Sequence, residues 1–301
     1  MPYDRSMLQQ GVSHRLSLLS FFLASLLLGF VSRGAAQAAP TAVDVGSLAD
    51  LQAQLQAAVD RSGLDVTVAI TDLQTGETIS VRGDEPRLAA CSINLLVLIQ
   101  AALDMNSGLI PVDIGEDLIE RTIYGSNPIT ARELLFLSGS GDLWAGMKKV
   151  NELAKRLGGN ILYDHPPAFP HETLTGSENI LTAKNTNAVL AALWNQQILT
   201  PEWTDYLLEK LIGVKPGLQY LIPAGVGEAV VSHKNGFVWT ALGWIDNDLG
   251  VVSFQAGGQT YAYAISYFAS WVPEEYGDIA LGQRISSLAW SYFKSLYSPY
   301  S

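Results

Sequence analysis

Apolar positions recur at helical spacing from Ser47 onward, with Leu48, Leu51, Leu55, Ala58 and Val59 on one face. Ser47 fits an N-cap and Gly63 a stop, so the pattern predicts a helix over 47–62. A β-branched run, Val66-Thr67-Val68-Ala69-Ile70-Thr71-Asp72, comes next. The turn Gln74-Thr75-Gly76-Glu77 separates it from Thr78-Ile79-Ser80-Val81, which predicts a hairpin. From Ala89 to Leu103 the chain is almost continuously apolar, a length that favours a buried helix over a strand. Further helical patterns cover 129–137, 143–157, 182–197 and 201–213, separated by loops rich in Gly, Asn and Pro. Residues 160–181, with Pro166, Pro167, Pro170 and Gly176, form the longest irregular segment.

The last third returns to strand. Short runs at 229–233, 237–242, 250–256 and 261–269 are rich in Val, Ala and aromatic residues. Asp246-Asn247-Asp248 and Gly257-Gly258 read as turns. An amphipathic helix is predicted over 278–297. The order predicts an α+β fold: one antiparallel sheet from both ends of the chain, flanked by the terminal helices, plus an inserted mainly helical region. The sheet and terminal helices would take 39–90 and about 216–301, and the helical region about 91–215.

The first residues follow another pattern. Arg5, His14 and Arg15 precede an uncharged run from Leu16 to Val31, and small residues surround Ala36-Gln37-Ala38. This is the order of a secretory signal peptide over residues 1–38, which leaves a single domain over 39–301 exported to the periplasm or the exterior. An uncleaved membrane anchor is the alternative. Removal of 1–38 takes away Arg5, Arg15, Arg33 and Asp4.

The whole chain of 301 residues carries a formal charge of −11, a pI of about 4.7 and a mean hydropathy of +0.18. Its 48% of apolar residues suffices for a sizeable core. The acidic balance disfavours nucleic acid as a partner. With Cys91 as the only cysteine, an intrachain disulfide and any multi-cysteine metal site are excluded. Asp164, His165, His171 and Glu172 match no standard metal spacing, so neither metal nor cofactor is expected.

Three segments stand out by order and placement: Ala89-Ala90-Cys91-Ser92-Ile93-Asn94-Leu95, Leu137-Ser138-Gly139-Ser140-Gly141-Asp142 and Ser232-His233-Lys234-Asn235-Gly236. Together they resemble the class A β-lactamase and penicillin-binding family of serine hydrolases, whose signatures S-x-x-K, S-D-N and K-T-G run in that order. The resemblance spans about 47–298, includes Gly-Trp-x-Asp-Asn-Asp-x-Gly at 243–250, and implies the penicillin-recognising fold. It also implies acyl transfer from a β-lactam or a cell-wall peptide. Cys91 falls on the family's serine and Asn94 on its lysine; in the register one residue on, Ser92 is the nucleophile and Leu95 replaces the lysine. Ser140 would shuttle a proton. Lys234, with Asn235 and Gly236, would bind the substrate carboxylate, and Glu172 is the nearest match to the glutamate that activates water. Backbone amides at the nucleophile and near Gln259 would form the oxyanion hole.

Chemistry tests these departures. A serine hydroxyl needs a positioned base, and the Asn94 carboxamide accepts no proton at neutral pH. A cysteine is a stronger nucleophile, and a thiolate placed at a helix N-terminus or beside a cation needs no lysine base. Acylation at Cys91 with poor deacylation is therefore one expectation. A pseudoenzyme that binds a peptide or glycan in the retained cleft is the other. Without the resemblance, Cys91 reads as a small core residue, and His233 and Lys234 as polar groups at an exposed strand end.

Overall fold

The computed structural model describes residues 46–157 and 179–298. Helix α1 (Leu48–Ser62) starts from a capping box in which the Ser47 side chain accepts from the Asp50 amide and the Ser47 amide donates to Asp50. Strands β1 (Asp65–Asp72) and β2 (Thr78–Val81) form the expected hairpin. The short strand β3 (Arg87–Leu88) pairs with β4 (Ile180–Leu181). Between them lie α2 (Asn94–Asn106), α3 (Val112–Tyr124), α4 (Pro128–Ser138) and α5 (Leu143–Arg156). After β4 come α6 (Ala183–Trp194) and α7 (Pro201–Ile212), then β5 (Val230–Thr240), β6 (Gly243–Ala256), β7 (Gln259–Val272) and α8 (Ile279–Tyr297).

The main sheet runs β2-β1-β7-β6-β5, and every neighbouring pair is antiparallel. Its two faces carry different side chains because strand residues alternate. On one face Val66, Val68 and Ile70 of β1 and Tyr263, Ile265 and Tyr267 of β7 pack with Leu51 and Leu55 of α1 and Phe293 of α8. The other face presents Ala69, Ala262 and Ala264 to the helical layer. These small side chains let α6 approach closely enough for Asn187 Nδ2 to donate to the Ala264 carbonyl (3.2 Å) and to Thr71 Oγ1 (3.1 Å). This is the expected α+β arrangement, with both terminal helices on one face.

Helix α2 explains its own sequence. It is enclosed by the helical layer, and eleven of its residues from Asn94 to Met105 are buried. A helix buried on all sides has no polar stripe. The apolar run begins earlier, but Ala90–Ile93 form a 3-10 turn and α2 proper starts at Asn94.

Two regions depart from the sequence reading. Helix α3 was not predicted; Gly115 interrupts its stripe, yet a Cβ there would stand 2.5 Å from Met105 Sδ. The runs 229–233 and 237–242 are one strand, β5, and Asp246-Asn247-Asp248 lie inside β6 rather than in a turn. All three are fully buried. Polar residues mimic a turn in sequence, but here each side chain finds buried hydrogen-bond partners, as described below. The Gly257-Gly258 turn is present, with both φ angles positive (55° and 78°), as a two-residue hairpin loop requires. No described helix is long and apolar enough to cross a membrane.

Candidate active site

The site is built where the middle of β5 meets the turn before α2. Ala90 adopts a left-handed conformation (φ 45°). For a non-glycine residue this costs about 1–3 kcal/mol and persists only where surrounding structure enforces it. The enforcement comes from two neighbours. Asn247 Nδ2 donates from β6 to the carbonyls of Leu88 (2.8 Å) and Ala89 (3.0 Å). Gly236 brings the β5 backbone against the same turn.

This turn separates Cys91 from Ser92. Ser92 is fully buried and its hydroxyl donates to the Ala89 carbonyl (2.5 Å). It faces a small void of about 10 Å³ lined by Leu95, Leu96, Leu181, Thr186, Val189 and Leu249. Cys91 is half-buried and lies within the electrostatic reach of Lys234. Of the two registers, the geometry therefore favours Cys91 at the site. Cys91 sits within the 3-10 turn that leads into α2, whose first residue is Asn94. Asn94, three residues on, is buried at the start of α2.

Lys234 is fully buried. Its Nζ donates to Ser126 Oγ (2.6 Å) and to the carbonyl of its neighbour Asn235 (2.6 Å). Burial lowers its pKa to about 8, against the opposing pull of Cys91 and Asp248. Asn235 is buried and pairs with Asp248 across the β5–β6 ladder.

The serine beside Lys234 is thus Ser126, a residue the sequence reading did not single out. It occupies the turn between α3 and α4 in a left-handed conformation (φ 52°). Its neighbour Asn127 caps α4 through the Ile129 amide (2.9 Å). The signal was present in Tyr124-Gly125-Ser126-Asn127-Pro128, where Asn before Pro marks a helix start. Ser140, by contrast, lies in the α4–α5 turn, and Asp142 caps α5 through the Trp144 amide (2.9 Å). The adjoining Ser138 carbonyl is tied through Lys149 to Asp104. Asp104 lies ten residues along α2 from Asn94, roughly 15 Å at the helical rise. Ser-Gly-Asp is a helix-linking turn here, and the serine that meets Lys234 is Ser126 rather than Ser140.

Gln259 is also displaced. It begins β7 at the β6–β7 hairpin, paired with Ala256. Lys234 pairs with Leu249, and Leu249 with Ser266. Ser266 is seven residues along β7 from Gln259, about 23 Å at strand rise. Glu172, and with it Asp164, His165 and His171, lies outside the described residues.

Behind β5 and β6 is a buried polar layer. His233 Nδ1 and Asp248 Oδ1 are 2.8 Å apart, both fully buried, and Asp248 also accepts from the Ile222 amide (3.1 Å). His233 is therefore not the exposed strand-end group that its sequence context suggested. Asp246 accepts from Tyr220 (3.0 Å) and Asp278 from Tyr267 (3.0 Å). Burial first, and then Asp278, pushes Asp246 up to about 9. A groove of about 920 Å³ runs between α3 and α7 and is lined by Gly125 and Asn127, the two neighbours of Ser126.

The description "β-lactamase enzyme family" belongs to the family model that matches residues 115–293. The chain belongs to that family. Solved structures agree on the fold. A PBP-A variant captured as an acyl-enzyme with penicillin G is 20% identical, covers 82% of this chain and 97% of its own, and gives a TM-score of 0.66. A β-lactamase from Chitinophaga pinensis is 18% identical over 80% of this chain and 98% of its own, with a TM-score of 0.65. One from Sphaerobacter thermophilus is 20% identical over 80% and 95%, with a TM-score of 0.66. No curated protein sequence matches the chain significantly. The family match takes in Ser126 and Lys234 and begins after Cys91 and Asn94.

Proposed function

We propose that this protein is an exported acyl-transfer protein whose Cys91 thiol attacks the amide of a β-lactam or a cell-wall peptide. The observation that supports the reading is the turn at Ala90, after which Ser92 is buried in the core and Cys91 stays half-buried within electrostatic reach of Lys234. Lys234 supplies positive charge for a substrate carboxylate. Ser126 supplies a hydroxyl at the same point. Acylation is expected to outrun deacylation, because Asn94 cannot take a proton from water. Export rests on the signal-like pattern of residues 1–38 and on the cell-wall chemistry of the family.

Intact-mass spectrometry of the reduced protein after exposure to a reactive penicillin tests this. A stable adduct in the wild type and in Ser92→Ala, lost in Cys91→Ala, is the expected result. An adduct lost only in Ser92→Ala would reverse the assignment of the nucleophile. No adduct in any folded variant would favour the second reading, a non-catalytic binder of cell-wall peptide or glycan, to which the replacement at Asn94 also points.

A further inference from the structure

The groove between α3 and α7 reaches the turn that holds Ser126, because Gly125 and Asn127 line it from either side of that serine. Its volume of about 920 Å³ is large enough for a ligand and not only for water. Along α3, Glu116, Glu120 and Tyr124 recur every fourth residue, so they share one face of the helix, and all three line the groove. The Tyr124 ring, next to the Ser126 turn, is 59% exposed. The facing helix α7 contributes Tyr206, Glu209 and Lys210.

The charges in the groove do not balance. Lys210 Nζ donates to Glu116 (2.5 Å) and to Glu120 and lies 5.4 Å from the centre of the Tyr206 ring. One ammonium meets two carboxylates there, which leaves one negative charge over. Glu209, exposed on the same wall, adds a second. Arg121 is drawn to Asp117 (3.2 Å), outside the lining. The Tyr206 hydroxyl is buried and has no hydrogen-bond partner among the described residues. Lys210 itself shows what the groove accepts: an alkylammonium between carboxylates, with an aromatic ring beside it.

We propose that the α3–α7 groove is a subsite for an ammonium-bearing side chain of a peptide ligand whose backbone lies at the Ser126 turn. The proposal rests on the reading of this protein as one that takes a cell-wall peptide, and not on chemistry at Cys91. The ligand's ammonium meets the surplus carboxylate charge of Glu120 and Glu209, and its methylene stem covers the Tyr124 ring. Penicillin G carries no cation and leaves this subsite unused.

Two synthetic peptides separate the groove from the rest of the site. One is Nα-acetyl-Lys-D-Ala-D-Ala with its side-chain ammonium free; the other is the same peptide acetylated on that nitrogen as well. Calorimetric titration of the reduced protein gives Kd for each. Wild type should prefer the ammonium peptide by about fivefold, as an ion pair at part-exposed carboxylates allows. High salt should shrink that preference. Glu209→Lys and Tyr124→Ala, both at exposed positions, should each lower the preference at least by half. Lys210→Met frees Glu116 and Glu120 and should raise it. Equal Kd values for the two peptides on wild type would overturn the groove subsite and leave the peptide reading intact. A preference that neither Glu209→Lys nor Lys210→Met moves would put the cation elsewhere and overturn the subsite as well. If neither peptide binds, the peptide reading ends and the subsite with it.

Discussion

Gly236 lies so close to the turn before α2 that a Cβ on it would stand 2.5 Å from the Ser92 amide nitrogen and 3.0 Å from that of Cys91. The obstructing atoms are backbone, which cannot swing aside as a flexible side chain does. Gly236→Ala should therefore push β5 away from residues 89–92. We expect a loss of about 1–3 kcal/mol in urea denaturation, the usual range for overpacking. Alkylation of Cys91 should change with it, since the same strand carries Lys234. Unchanged stability and reactivity would show that the strand and turn are not in rigid contact.

The left-handed Ala90 makes the opposite prediction. Its conformation costs about 1–3 kcal/mol, whereas glycine costs roughly 0.5–1 kcal/mol in chain entropy. Ala90→Gly should then stabilise the fold by about 1 kcal/mol, a rise of about 2–4 °C in melting temperature. Acylation should slow as the turn loses its rigidity. A lower melting temperature would contradict the strain assigned to this residue.

Asn247 is expected to matter through the carbonyls it holds. Asn247→Ala removes the side-chain donor that ties the Leu88 and Ala89 carbonyls to β6, although Ala89 still accepts from Ser92, and should cost about 1–3 kcal/mol. Because those carbonyls brace the Ala90 turn, penicillin acylation should fall more than general stability does. Comparing denaturation midpoint with adduct formation rate checks this.

The buried carboxyl pair behind the sheet sets a pH dependence. Asp246 and Asp278 both titrate above the ordinary carboxylate value, first because they are buried; each also interacts with the other. Tyr220 and Tyr267 donate to the pair, and Asp248 adds like charge to Asp246. A raised folded pKa means that the contribution is fully present below the unfolded value of about 4. It is lost as pH rises towards about 9, where Asp246 ionises in the folded protein. Asp246→Asn keeps an acceptor for Tyr220 and gives a permanent donor to Asp278. Its stability relative to wild type should increase from pH 5 to pH 8.5 in urea denaturation. A constant difference across that range would remove the carboxyl pair as its source.

Much of the architecture was legible because local pattern carries it. The 3.6-residue stripes of α1, α4, α6, α7 and α8 and the hairpin of β1 and β2 are written in neighbouring residues. Helix α3 was lost to one glycine, and its loss hid the turn that follows it. Asp246-Asn247-Asp248 failed for a related reason: composition favours a turn wherever buried partners are out of view. Those partners, Tyr220, Asp278, His233 and Leu88, come from other elements.

The sequence alone determined the layered α+β fold and the candidate positions Cys91, Asn94 and Lys234. Both follow from side-chain identity and short-range periodicity. Only the tertiary structure decided that Ser126 and not Ser140 meets Lys234, that Ser92 is buried while Cys91 is half-exposed, and that Gln259 lies far along the sheet. The Lys234–Ser126 bond joins residues 108 apart in the chain. Strand register and the contact of β5 with the turn before α2 bring such residues together, and no local pattern encodes that contact.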